Sequence, residues 1–370
     1  MKKNQQLFSA ETLFALLAFF MITAGCKKTD MSAPSLSSSS NDEAVSLGGY
    51  QQVNLVANTT SFGAERFDPR LQNAWGLSAD DEGESWVSAN ETGLSFVYDI
   101  TGAHLMPPIT IPSHNPKMHG NPTGNIYNDT KSFMIPGTGE PSEFIFADEG
   151  GTVSAWNDPT GTTAVVVADR SGFDAVYKGL AIAQDYGENF LYVTNFSQGK
   201  IDVFDRHFNY VTNKPFKDPT LPKGYAPFNI RNIDGMLYVT FALQKASKED
   251  DSAGVGHGFV DIFKPDGSMV TRFASRGKLD SPWGISKGKS SFLKDGAGDI
   301  LIGNFGDGRI NVFDREGKFL GQLMNNGSPV VIDGLWGLDN DIPGIGSNQL
   351  YFTAGPDDES DGLFGYLMKK

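Results

Sequence analysis

Six short segments recur along this chain at nearly even spacing, and few folds tolerate such a rhythm. They are Trp75-Gly76-Leu77, Pro122-Thr123-Gly124, Lys178-Gly179-Leu180, Phe228-Asn229-Ile230, Trp283-Gly284-Ile285 and Trp336-Gly337-Leu338. Measured between Gly76, Gly124, Gly179, Asn229, Gly284 and Gly337, the steps are 48, 55, 50, 55 and 53 residues. A period near fifty is that of a four-stranded propeller blade with generous loops.

Each segment is followed by a strand, a polar turn and a second strand. Examples are Leu191-Tyr192-Val193-Thr194-Asn195 with Lys200-Ile201-Asp202-Val203-Phe204, and Ile300-Leu301-Ile302-Gly303-Asn304 with Arg309-Ile310-Asn311-Val312-Phe313. These runs are rich in β-branched and aromatic residues, are bounded by Gly or Asp, and in places alternate with period two. The 43 glycines and 19 prolines suit many short strands joined by tight turns. The expected fold is therefore all-β: a six-bladed β-propeller over residues 50–370. Only three strands of the sixth blade precede Lys370. Tyr50 to Val56, with Val53 and Leu55 two apart, is the candidate to close the ring by pairing near Leu363 to Leu367.

The N-terminus has a different character. Lys2 and Lys3 precede an apolar run from Leu13 to Ile22, then Thr23, Ala24, Gly25 and the chain's single cysteine, Cys26. Ten apolar residues are too few for a spanning helix, which needs roughly twenty. The pattern is that of a bacterial lipoprotein signal over residues 1–25, with Cys26 as the lipidation site. Residues 26–49 include Ser37 to Ser40 and show no hydrophobic period, as a tether would. The expected location is the cell envelope, held to a membrane by lipid on Cys26. The net charge of −14 argues against nucleic acid as a partner.

Longer stretches resemble a family of exported bacterial propeller proteins of NHL-repeat-like type. They are Gly224-Tyr225-Ala226-Pro227-Phe228-Asn229, Gly303-Asn304-Phe305-Gly306-Asp307-Gly308-Arg309-Ile310 and Ile332-Asp333-Gly334-Leu335-Trp336-Gly337-Leu338. The likeness covers about residues 50–367 and implies the ring and the export. A more distant likeness is to gluconolactonase-like rings, whose Glu-Gly-Pro motif supplies a metal ligand. Here that region reads Leu71-Gln72-Asn73-Ala74-Trp75-Gly76 and lacks the acid.

In a propeller, the turns between second and third strands surround the channel mouth at which the inner strands begin. Those turns carry Asn90, Asp148, Asn195 and Asn304, with Asp333 just before the sixth segment. Lys178 and Asn229 stand where other blades have tryptophan or glycine. This set is the expected ligand site: an acidic, carboxamide-rich mouth suited to a polar small molecule, an envelope protein or a divalent cation such as calcium. Each Asn or Asp is also an ordinary turn residue. Two functions stay open, a tethered binding module and a metal-assisted hydrolase or lyase of lactonase type. Gly284-Ile285-Ser286-Lys287-Gly288 has nucleophile-elbow spacing but falls in a propeller strand, where that motif cannot act.

Overall fold

The structure, a computed structural model, describes residues 47–294 and 296–370. Cys26, the signal and most of the tether lie outside the described residues. Six blade sheets follow one another along the chain, with a two-stranded hairpin of Met324–Asn325 and Ser328–Pro329 between the fifth and the sixth. Their inner strands are Ala74–Ala79, Pro122–Tyr127, Tyr177–Asp185, Tyr225–Ile233, Pro282–Lys287 and Leu335–Asp339. Each of the first five sheets is a four-stranded antiparallel meander, as in blade three, where Tyr177–Asp185 pairs Glu188–Asn195, then Lys200–Phe204, then Tyr210–Val211. This is the six-bladed propeller.

The sixth sheet draws on both ends of the described chain. From the axis outward its first three strands are Leu335–Asp339, Gln349–Ala354 and Leu363–Lys369. Tyr50–Ala57 lies antiparallel to the last of these, with Tyr50 opposite Lys369 and Val53 opposite Tyr366. Tyr50 is wholly buried, and its hydroxyl donates to the Phe292 carbonyl at 2.8 Å, which ties this strand to blade five.

The sequence repeat has a steric cause. In every blade the pairing of inner and second strand slips by a residue at the repeated segment, as between Ala74 and Leu77 and between Pro282 and Gly284. The bulged strand presses against its neighbour. A Cβ on Gly76 would sit 2.4 Å from the Thr123 carbonyl of blade two, and one on Gly284 would sit 2.7 Å from the Trp336 carbonyl of blade six. Only glycine allows that approach. Blade four has Asn229 instead, and its amide donates across to the Trp283 carbonyl of blade five at 2.7 Å. Second-strand threonines pin the same contact. The Thr353 hydroxyl accepts from Gly337 N–H and donates to the Trp75 carbonyl of blade one.

The apolar core is correspondingly divided. Each pair of adjacent blades encloses its own cluster, such as Ile145 and Val153 of blade two against Tyr177 and Leu191 of blade three. A seventh cluster lies on the axis and gathers Trp75, Phe196, Phe228, Trp283 and Trp336 from five blades. Full burial of each large side chain contributes roughly 1.5–3 kcal/mol, so this axial group is a substantial part of what holds the ring shut.

Candidate functional site

The axial aromatic cluster separates two ends of the channel with different chemistry. At the end where the inner strands begin, Trp336 lies between Trp75 and Phe305, with ring centroids 3.7 and 3.8 Å away and planes within 13° of parallel. Trp283 meets Trp75 and Trp336 edge-on. The tryptophans thus pack against one another across the axis. The Trp336 indole N–H donates to Asn73 Oδ1 at 2.9 Å, and the same amide donates to Glu359 at 2.8 Å. Asn73 occupies the region where the gluconolactonase-like motif would have placed an acid, and its amide is committed to those two partners.

Around this plug runs a buried polar network. Lys178, 2% exposed, forms an ion pair with Glu149, and its ammonium lies 4.8 Å from the Trp75 ring centroid. Burial alone would pull the Lys178 ammonium down, but the charge and hydrogen bond of Glu149 more than offset it, and the net shift is upward. Glu149 also accepts from Asn90 Nδ2 at 3.0 Å. Glu359 is pushed up to about 7, chiefly by burial and then by the charge of Glu149, against the pull of Lys178 and Asn73. Asp148 is pushed up to about 6 by burial, although the backbone N–H groups of Asn121 and Gly150 both donate to it.

Of the seven candidates taken from the sequence, the structure joins Asn90 and Lys178 through Glu149, with Asp148 next in the chain. The others are dispersed. Asn195 donates to Asp202 at 2.9 Å inside blade three. Asn304 donates to the Lys278 carbonyl and to Asp307, both at 2.8 Å. Asp333 is exposed and accepts from Asp357 N–H. Asn229 lines the other end of the channel. Among the described residues, no three His, Cys, Asp or Glu side chains come together as a metal-ligand group.

The open space lies at the opposite end, where the inner strands finish. A cavity of about 340 Å³ there is lined from all six blades, by Ser78, Asn125, Ala181, Arg231, Trp283 and Asp339 among others. Arg231 from blade four reaches across to blade six, pairing with Asp339 at 3.0 Å and donating to the Leu338 carbonyl at 3.0 Å. Asn125 accepts from Ser78 Oγ and donates to Ser88 Oγ and the Trp86 carbonyl. At the rim Lys289 pairs with Asp341 at 3.3 Å, and Lys287 pairs with Asp234 at 2.6 Å. Trp283, 5% exposed, reaches this cavity from the axial cluster, and its indole N–H has no acceptor among the described residues.

Of the seven candidates, Asn229 alone lines this cavity. One further signal was available: Arg231 stands inside the run Phe228-Asn229-Ile230-Arg231-Asn232. A charged residue in an inner strand is costly unless it faces the channel and finds a partner.

The chain is 36% identical over 339 residues to Uncharacterized protein L690 of Acanthamoeba polyphaga mimivirus, covering 86% of each chain. Uncharacterized protein R648 of the same virus is 36% identical over 328 residues, covering 85% of this chain and 79% of the viral one. The chain belongs to the family of these mimivirus proteins. No protein-family model matches it. Among solved structures, a structural genomics protein from Bacteroides thetaiotaomicron superposes with a TM-score of 0.53 at 11% identity, over 80% of this chain and 70% of that one. A streptogramin B lyase superposes with a TM-score of 0.51 at 10% identity, over 87% and 97%. At such identities the shared property is the ring.

Proposed function

We propose that this protein is a binding module of the cell envelope: a propeller tethered through lipid on Cys26 that holds a polar small molecule at the end of its channel where the inner strands finish. The observation carrying the reading is the axial cavity, to which all six blades contribute. Ligand pockets fall in the range of roughly 300–1,000 Å³, and about 340 Å³ suits a compact ligand. The likeness to exported bacterial propellers, Lys2, Lys3 and the Leu13–Ile22 run support the export.

Two experiments test the two halves. Cys26→Ser should move the protein from the membrane to the soluble fraction of the expressing bacterium, and retention in the membrane rejects the anchor. For the cavity, a thermal-shift screen should include sugars, amino acids, polyamines and dicarboxylates. Ligands that stabilise the wild type should no longer do so after Ile182→Trp, which places an indole in the cavity. Stabilisation that survives this substitution rejects the cavity as the site.

A further inference from the structure

The hydrogen-bonding groups at the cavity also define the class of ligand, and this step rests on the cavity being the binding site. We infer that it takes a neutral polyhydroxylated ligand of about one sugar ring or one cyclitol.

Most ionised groups at this end already have an opposite partner: Arg231 has Asp339, Lys289 has Asp341, and Lys287 has Asp234. Asp129 lines the cavity without a cationic partner among the described residues. An anion would meet this carboxylate and no surplus cation. The site therefore has no basis for selecting phosphate or carboxylate.

A guanidinium carries five N–H donors, and Arg231 spends two, on Asp339 and on the Leu338 carbonyl. Three remain. The Trp283 N–H, unpaired like those of Trp75 and Trp86, is shielded from the cavity and adds no donor to it. An ammonium ligand has donors only and would leave the three Arg231 donors unsatisfied. The carboxylates of Asp339 and Asp129, in turn, need donors.

A hydroxyl is both donor and acceptor, and a ring of hydroxyls presents the two roles side by side. A vicinal pair can accept from Arg231 while donating to Asp339, the two ends of a pair already fixed 3.0 Å apart. The apolar faces of such a ring would meet Leu77, Leu180 and Ile285, which also line the cavity.

The test is ligand-observed NMR on the folded domain, with four separate probes: myo-inositol, D-glucose, 1,5-diaminopentane and succinate. The expected result is saturable binding of at least one of the two polyols. Asp339→Asn, which removes the carboxylate that would accept from a ligand hydroxyl and keeps the side chain's size, should weaken that binding by about fivefold. Arg231→Ala should weaken it by at least about tenfold. Asp339→Asn carries the test if Arg231→Ala does not fold. Polyol binding that neither variant weakens would overturn the assignment to these residues. Binding of the diamine or succinate alone, abolished by Ile182→Trp, would overturn the polyol class and leave the cavity as a binding site. Binding of none of the four probes would overturn the polyol class, while the cavity itself is tested separately by the thermal-shift screen with Ile182→Trp.

Discussion

Replacing Lys178 with Met tests the plugged end of the channel most directly. The methylene stem is largely kept, so packing against Trp75 survives and the change is mainly electrostatic. Lys178 is 2% exposed and Glu149 is 28% exposed. Removing one partner of a fully buried pair costs roughly 3–5 kcal/mol, because the remaining charge is left without compensation. Here the cost should be smaller, about 2–3 kcal/mol at pH 7, since Glu149 keeps some solvent and the Asn90 amide. The assay is urea unfolding followed by tryptophan fluorescence, on the wild type, Lys178→Met, Glu149→Gln and the double variant. If the lysine serves to neutralise buried carboxylates, Glu149→Gln should rescue Lys178→Met to within about 1 kcal/mol of the wild type. The cost of Lys178→Met should also shrink at pH 5, where the raised Glu359 beside it is protonated. Additive single-variant costs, with no rescue in the double variant, would refute the network.

Three further outcomes follow from the same geometry. Asp148 and Glu359 have folded-state pKa values of about 6 and about 7, above their unfolded values near 4, so the folded chain binds more protons between about pH 4 and 7. These two groups therefore remove stability as pH rises through that window. In a urea-unfolding series, Asp148→Asn should flatten the fall between pH 5 and 7, and an unchanged slope counts against the assignment. Trp336→Ala, which empties the place between Trp75 and Phe305, should cost about 3–5 kcal/mol, and a measured loss below 1 kcal/mol would mean that the plug is not a packing element. Removing residues 1–57 takes away the strand paired with Leu363–Lys369 and the buried Tyr50, and should lower the thermal midpoint sharply. An unchanged midpoint would show that this pairing does not stabilise the ring.

What the sequence made legible was the backbone. Gly76, Gly124, Gly179, Gly284 and Gly337 recur because each blade repeats one steric event, the close approach of a bulged inner strand to its neighbour, and that event leaves a mark in residue type. Asn229 looked like a ligand contact for the opposite reason, since it breaks the pattern. It makes the same inter-blade contact with a hydrogen bond to the Trp283 carbonyl, accepts from Ile230 N–H, and also lines the cavity.

The site was less legible because function in a ring depends on which end of the channel stays open, and that is decided by side chains far apart in sequence. The Asn and Asp turns at one mouth are conspicuous in the chain, but there Trp75, Phe305 and Trp336 from three different blades fill the axis. Nothing local in any of those segments says that they will meet. At the other mouth Ala181, Gly124 and Gly337 are small and leave room, and Arg231 and Asp339, 108 residues apart, supply the polarity. The same inner-strand segments thus do both jobs, with their aromatic residues closing one end and the residues two to four places further on shaping the other. A substitution that enlarges one end, such as Trp336→Ala, should therefore alter stability before ligand affinity, whereas Arg231→Ala should alter affinity through groups that the plug does not use.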